Sequence, residues 1–428
     1  MKNFIATIAL TWLVLGGHVS ALKPGQAIPN HYIVQHHSDL SADDVKKIET
    51  LLRAPANRHA TFKPKGILKK YDIGGFKGYH VELDPMAVPA LQKSNLIKQM
   101  QPDAVVSISS PITLPDPLPM HITKRDDGSV PANIRRIPTY TWGQSRLSHR
   151  RPKEPDFVYE AGGSTAYVID TGIRTTHVEF AANHSFSGSR AVWGMNFIDG
   201  SPDTDENGHG THCAGTIGGS TKGIAPLTEL VAVKVFDAQG NGPWSGVLAG
   251  LSWVVEHARA NGRVGRAVVN MSLGGGRWSV IEEAVTAAVN AGVAVVVAAG
   301  NAGQPVNTTS PAACPDAITV GAIDGSDLRC PWSNYGVGLD FFAPGADIDS
   351  AWCGSDTDYR TESGTSMAAP HVAGLVAYLM QQYGPHTPLQ MRERLNSFGT
   401  MNMVQDAKDS SNAIVYNGNG AYLTEAAA

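Results

Sequence analysis

Apolar runs bounded by polar turns recur through the C-terminal two-thirds of the chain. Ala166–Ile169, Val231–Val235, Ala267–Met271, Val293–Ala299 and Ile318–Val320 are apolar at nearly every position, the pattern of strands buried on both faces of a parallel sheet. Trp244–Ala260 and Val280–Asn290 space their apolar residues as helices do and supply crossovers. Right-handed βαβ units follow, and with them a three-layer α/β domain around a mainly parallel sheet. In such a sheet, residues that act on a ligand belong where strands end and helices begin.

The N-terminal part has a different rhythm. A strand over His31–Gln35, a polar helix from Ser41 to Arg53 with Asp44 three residues after its capping serine, strands near Ile67–Ile73 and Gly78–Leu83, a short helix after Asp84-Pro85 and a strand over Ala104–Ile108 predict a small α+β unit. We assign residues 22–112 to it. Residues 113–138 carry Pro115, Pro117, Pro119, Pro131 and Pro138 with the dibasic pairs Lys124-Arg125 and Arg135-Arg136, and read as an exposed, cleavable linker. The larger domain then spans 139–428. At the start, Lys2, the apolar run Phe4–Leu15 and the small residues of Val19-Ser20-Ala21 read as an export signal over 1–21. That run is shorter than the ~20 apolar residues a membrane span needs, so a secreted, extracellular protein without a membrane span is expected.

Composition narrows the function. Only 17% of residues are charged and 42% are hydrophobic, which favours a large core over disorder. The net charge of −4 argues against a nucleic-acid partner. Charge is unevenly placed: residues 22–136 carry 16 basic and 11 acidic side chains, residues 137–428 carry 17 and 27, so the two parts attract each other.

Three motifs fall at strand–helix junctions. Asp170 ends an apolar strand in Ile169-Asp170-Thr171-Gly172, where a carboxylate is costly to bury unless a donor such as histidine accepts its charge. His209 lies between two glycines in Asn207-Gly208-His209-Gly210-Thr211-His212, which lets other backbone come close. Ser366, in Ser363-Gly364-Thr365-Ser366-Met367-Ala368-Ala369-Pro370, opens an apolar helix whose unpaired amides favour negative charge beside its oxygen. A metal site is not supported, because the His-Glu-x-x-His pattern is missing. Gly364-Thr365-Ser366-Met367-Ala368 also lacks the second glycine of an esterase elbow. Acid, base and nucleophile follow one another as Asp170, His209 and Ser366, the chain order of subtilisin-type proteases.

On these motifs the chain resembles the subtilisin-like serine proteases, and among them the secreted fungal, proteinase K-like group. Residues 28–110 resemble the family's inhibitory propeptide, a ferredoxin-like fold, and 139–420 its catalytic domain. The resemblance implies Ser366 as nucleophile, His209 as general base, Asp170 as its orienting carboxylate and Asn301 as side-chain oxyanion donor. It implies an extended peptide held between Ser272, Leu273, Gly274 and Gly275 on one edge and Gly240 and Gly242 on the other, with Trp244 at a distant apolar subsite. The pocket bordered by Gly274, Gly275, Ala298, Ala299 and Gly300 shows no charge for its floor, so an apolar or aromatic residue before the cut is expected. Asp340, with the carbonyls of Pro315 and Ala317, aligns with a calcium site. Cys213 matches a free buried thiol. Cys314, Cys330 and Cys353 permit one bridge, and spacing does not choose it. Asn183 and Asn307 are candidate glycosylation sites, whereas Asn270 lies in an apolar strand and should stay bare. The implied enzyme is a monomeric zymogen acting on proteins and peptides, inhibited by its own propeptide, with no organic cofactor. Self-cleavage and cutting by a dibasic-specific protease both remain open.

Overall fold

A computed structural model describes residues 22–53, 63–108, 112, 134–154, 156–160, 164–182 and 188–419. The export segment 1–21, nearly all of 109–133 and Asn183 lie outside the described residues.

The predicted runs assemble side by side. Strands Ala191–Asn196, Glu229–Lys234, Thr165–Asp170, Ala267–Met271, Ala294–Ala298, Ile318–Ile323 and Phe341–Pro344 lie parallel in that order, and Ala413–Ile414 and Thr400–Met401 extend the far edge. Strand periodicity of two sends alternate side chains to opposite faces. Ala166 and Val168 join the core packed by helices His209–Gly218 and Thr365–Tyr383, while Tyr167 and Ile169 join the core under Trp244–Ala260 and Ser279–Asn290. The sheet is thus the middle of three layers. Helix Thr365–Tyr383 is buried from Thr365 through Met380, which explains its weak amphipathic pattern: it is wrapped on all sides rather than laid on a surface.

In the N-terminal unit, Ile97–Ile108, Ala27–His36, Phe76–Glu82 and Gly66–Ile73 form an antiparallel sheet in that order. One face packs helix Ala42–Leu52 through Ile48 and Leu52 on Val34, Tyr79 and Val81; Ser41 Oγ caps that helix by accepting from Asp44 N at 3.1 Å. The other face lays Ile33, Tyr71, Ile73 and Phe76 on the larger domain's core. Charge attraction is realised where Glu283 accepts from Lys98 and from Gln35 Nε2.

Three expectations are corrected. The last strand of this unit runs from Ile97, well before Ala104, because its first half pairs with Ala27–His36 and its second half leaves for the larger domain. Arg135-Arg136 is not an open linker site: Ile134–Pro138 pairs antiparallel with Asp156–Glu160, and Arg136 is bound to Asp156. The linker therefore ends before Ile134. All four cysteines are free thiols. Cys314 is buried in the core beneath helix Ser279–Asn290 and Cys330 in the core on the opposite sheet face, so no bridge joins them. Asn270 is fully buried, as expected, and Asn307 is exposed.

Candidate active site

Strand Thr165–Asp170 is buried at every position, and its terminal carboxylate is fully enclosed. Its charge is met locally. Asp170 Oδ1 accepts from Thr171 N at 2.7 Å and from His209 Nδ1 at 2.8 Å, and Oδ2 lies 3.0 Å from the same nitrogen. The approach depends on Gly210: a Cβ there would stand 2.1 Å from Gly172 O and 3.2 Å from Asp170, driving the histidine's helix off the strand. Asp205, which sequence reasoning missed, fixes the loop that delivers His209. Its Oδ1 accepts from Gly208 N and Thr171 Oγ1 at 2.8 Å, and its Oδ2 from Thr211 N at 2.9 Å and Thr211 Oγ1 at 2.6 Å. The available signal was an acid just ahead of a helix start, where it satisfies orphan amides.

Ser366 sits fully buried in the first turn of helix Thr365–Tyr383. Pro370, four residues on, has no N–H to donate to Ser366 O. That carbonyl is taken instead by Ser272 Oγ at 2.9 Å and Cys213 Sγ at 3.5 Å. The proline therefore lies one turn inside the helix, beyond its first turn, and frees a carbonyl that ties the serine to the cleft edge. Ser366 Oγ donates to Ser272 O at 3.3 Å, while His209 Nε2 is buried and has no hydrogen-bond partner among the described residues.

Asn301 Oδ1 accepts from Thr365 N at 2.9 Å and Thr365 Oγ1 at 2.8 Å, which assigns the amide's orientation and turns Nδ2 away from Thr365. Thr365, also unanticipated, accepts Gly300 N at 3.0 Å on the same hydroxyl. It locks the asparagine to the serine's helix.

Burial pulls the His209 imidazole down most strongly, but attraction and hydrogen bonding to Asp170, added to by Cys213, together carry it well above the usual histidine value. Burial pushes the neighbouring Cys213 thiol up.

The two anticipated cleft edges already hold a strand of this chain. Ser107 pairs with Asn241 and Gly274, Val106 with Gly242, and Ile108 with Leu273, all antiparallel. Ile108 N also donates to Gly240 O at 3.0 Å. A Cβ on Gly275 would lie 3.4 Å from Trp244 and 3.8 Å from Val106, so Val106 reaches the surface formed by Trp244, itself stacked on Trp278. Beyond Gly274 and Gly275, a cavity of about 330 Å³ is lined by Ala298, Ala299, Gly300, Asn301 and Ala312 among others, without a charged side chain.

Asp340, Pro315 and Ala317 do converge, but on Arg392. Its Nη2 donates to Pro315 O at 2.8 Å and to Ala317 O, and lies 3.6 Å from Asp340 Oδ2. Asp340 Oδ2 also accepts Thr319 N at 2.8 Å. The donors are the all-oxygen kind that suit calcium, but a guanidinium fills the space between them, so the residues as arranged do not fit the ion.

Fold and site together define a serine hydrolase with an attached inhibitory segment, and comparison places it. The model of the subtilase family matches residues 163–411, and that of peptidase inhibitor I9 matches residues 27–109. The chain belongs to the subtilase family and is a serine endopeptidase of the subtilisin type with an I9 propeptide. It is 42% identical over 416 residues to subtilisin-like protease 2 of Pseudogymnoascus destructans, covering 94% of each chain. It is 36% identical to subtilisin-like protease 1 of Trichophyton rubrum, covering 94% of this chain and 75% of that one. A solved cold-adapted subtilisin-like serine proteinase is 42% identical with a TM-score of 0.60, covering 65% of this chain and 98% of its own. Among the described residues, no helix is long and apolar enough to cross a membrane.

Proposed function

We propose that the chain is a secreted endopeptidase made as a zymogen, with Asp170, His209 and Ser366 as its catalytic triad. The observation that carries this reading is the enclosed Asp170–His209 pair, its Nε2 without a partner among the described residues, linked through Cys213 to the serine that opens helix Thr365–Tyr383. As Ser366 Oγ attacks the scissile carbonyl, its proton passes to His209 Nε2 and Asp170 stabilises the imidazolium. The developing oxyanion accepts from Asn301 Nδ2 and the Ser366 amide. The imidazolium then protonates the leaving amine, and water repeats the cycle to release the acyl group.

Backbone pairing along Gly274 and Gly242 reads main chain rather than side chains, which supports broad specificity; the uncharged pocket favours an apolar or aromatic residue before the cut. Since the strand Ile97–Ile108 lies in that cleft and heads toward Ser272, whose carbonyl accepts from Ser366, the propeptide blocks it as a substrate would. Casein hydrolysis tests the reading. It should be abolished by a serine-directed phosphonylating reagent, and Asn301→Ala should lower kcat about 10²–10³-fold, a magnitude taken from a subtilisin. Cleavage of small esters alone would overturn it.

We also infer that Arg392 supplies the positive charge at the Asp340 site in place of calcium. Arg392→Gln should cost about 1–3 kcal/mol, since it takes a donor from the Ala317 carbonyl and the neighbouring cation from the mostly buried Asp340 carboxylate, and the variant's melting temperature should become calcium-responsive. If a chelator lowers the melting temperature of the parent chain and the variant equally, the guanidinium is not the substitute.

A further inference from the structure

Far from the triad, where the propeptide meets the larger domain, three potential ligands face one point. His31 lies on strand Ala27–His36, His80 on Phe76–Glu82 and Asp103 on Ile97–Ile108, and their ligand atoms all fall within 4.8 Å of one another. Asp103 is fully buried. Its Oδ1 is used twice, accepting Ala104 N at 2.9 Å and, across the interface, Ser245 N at 3.1 Å in the first turn of helix Trp244–Ala260. Its Oδ2 is buried and has no hydrogen-bond partner among the described residues. An enclosed carboxylate oxygen left unmet is costly enough to demand an explanation.

The two imidazoles do not supply one. His31 Nδ1 and His80 Nε2 are 2.9 Å apart, and His80 Nε2 is also the atom nearest Asp103 Oδ2, at 3.5 Å. With one proton on that facing pair, only one contact is made: placed between the rings it leaves Asp103 Oδ2 unmet, and placed on His80 Nε2 toward Asp103 it leaves the His31 Nδ1 lone pair without a donor. The cluster is one donor short in either tautomer. With each ring's proton on its outer nitrogen, the two facing nitrogens and Asp103 Oδ2 offer three lone pairs to one point. Of the charges around them, Glu82 stands beside His31, Lys65 and Lys69 oppose, and Lys69 is drawn over the Phe197 ring at 4.1 Å.

We propose that His31, His80 and Asp103 form a zinc site that cross-links the propeptide strands where they meet the catalytic domain. Two imidazole nitrogens and one carboxylate oxygen match the ligand chemistry of zinc rather than of calcium or magnesium. Tetrahedral bonds of about 2.0–2.2 Å set ligand atoms about 3.4 Å apart; two of the three separations here are 2.9 and 3.5 Å and the third lies within 4.8 Å, so a small inward shift of His31 completes the geometry. The outer side of His31 is partly exposed, which gives the ion an entry and a place for a water as fourth ligand. One cation meets all three lone pairs at once, and it cross-links three strands of a small domain whose core is thin. Because Asp103 also caps helix Trp244–Ala260, fixing it favours the inhibited arrangement. That consequence rests on the propeptide acting as inhibitor; the binding itself does not.

Full-length Ser366→Ala chain, titrated with zinc chloride by calorimetry, separates the two. It should bind one zinc per chain at this cluster and melt at a higher temperature with the ion. His31→Ala and His80→Ala, each in the same background, should bind at least about tenfold more weakly. Cobalt(II) should give the absorption of a tetrahedral N/O site in the parent and lose it in His31→Ala, whose partly exposed ring makes misfolding of that variant readily excluded by its unchanged melting temperature without metal. Absence of binding at about 100 µM zinc, or equal zinc affinity and an equal cobalt spectrum in the parent and both variants, would overturn the site and leave a hydrogen-bond cluster.

Discussion

Ser366→Ala is expected to abolish casein hydrolysis, with kcat falling about 10⁶-fold, the loss that removing this residue type gives in a subtilisin. The packing around the residue should survive, because the ties to the helix start run through backbone atoms: Ser272 Oγ and Cys213 Sγ donate to Ser366 O, and Asn301 Oδ1 accepts from Thr365 N. The same variant decides how the chain matures. Strand Ile97–Ile108 already lies in the cleft, so Ser366→Ala secreted alone should remain unprocessed on a denaturing gel, with its propeptide attached. A mature band of normal size from that variant would exclude self-cleavage.

Asp170→Asn should lower kcat about 10⁴-fold while leaving the fold intact, because an amide no longer holds the imidazole in the tautomer that offers Nε2 to the serine. The pH profile carries the sharper test. In the parent, Asp170 raises the His209 pKa against the pull of burial. Activity, which needs the neutral imidazole, is therefore lost as pH falls through a value above the ordinary histidine range. Without the carboxylate charge, burial is left to dominate and the acid limb of the residual activity should move to lower pH. An acid limb unchanged in Asp170→Asn would mean that the group titrating in kcat/KM is not His209.

Much of this was legible along the chain, and the exceptions share a cause. Strand Ala267–Met271 and helix Trp244–Ala260 fall where their apolar patterns put them, since a strand buried on both faces and a helix over a sheet leave periodic traces. Ala191–Asn196 escaped because it is an edge strand, half-buried and without an apolar run. The triad motifs were visible because each needs its own local geometry: a strand end, a glycine-flanked helix start, a helix N-terminus. Asp205 and Thr365 were not singled out, for their role is to satisfy amides brought in by other segments. The three anticipated calcium ligands do come together, but the cation among them is a side chain more than fifty positions beyond Asp340.

Sequence alone therefore determined the parallel-sheet architecture and the two-part organisation and singled out the groups proposed as acid, base and nucleophile, because periodicity and backbone junctions are local properties. The tertiary structure alone decided what meets each buried charge: Arg392 at Asp340, Asp156 at Arg136, thiols left unpaired on opposite sheet faces, and an orphan oxygen on Asp103. Pairing of buried polar groups depends on distance in space, and neither spacing nor composition records which distant partner the fold delivers.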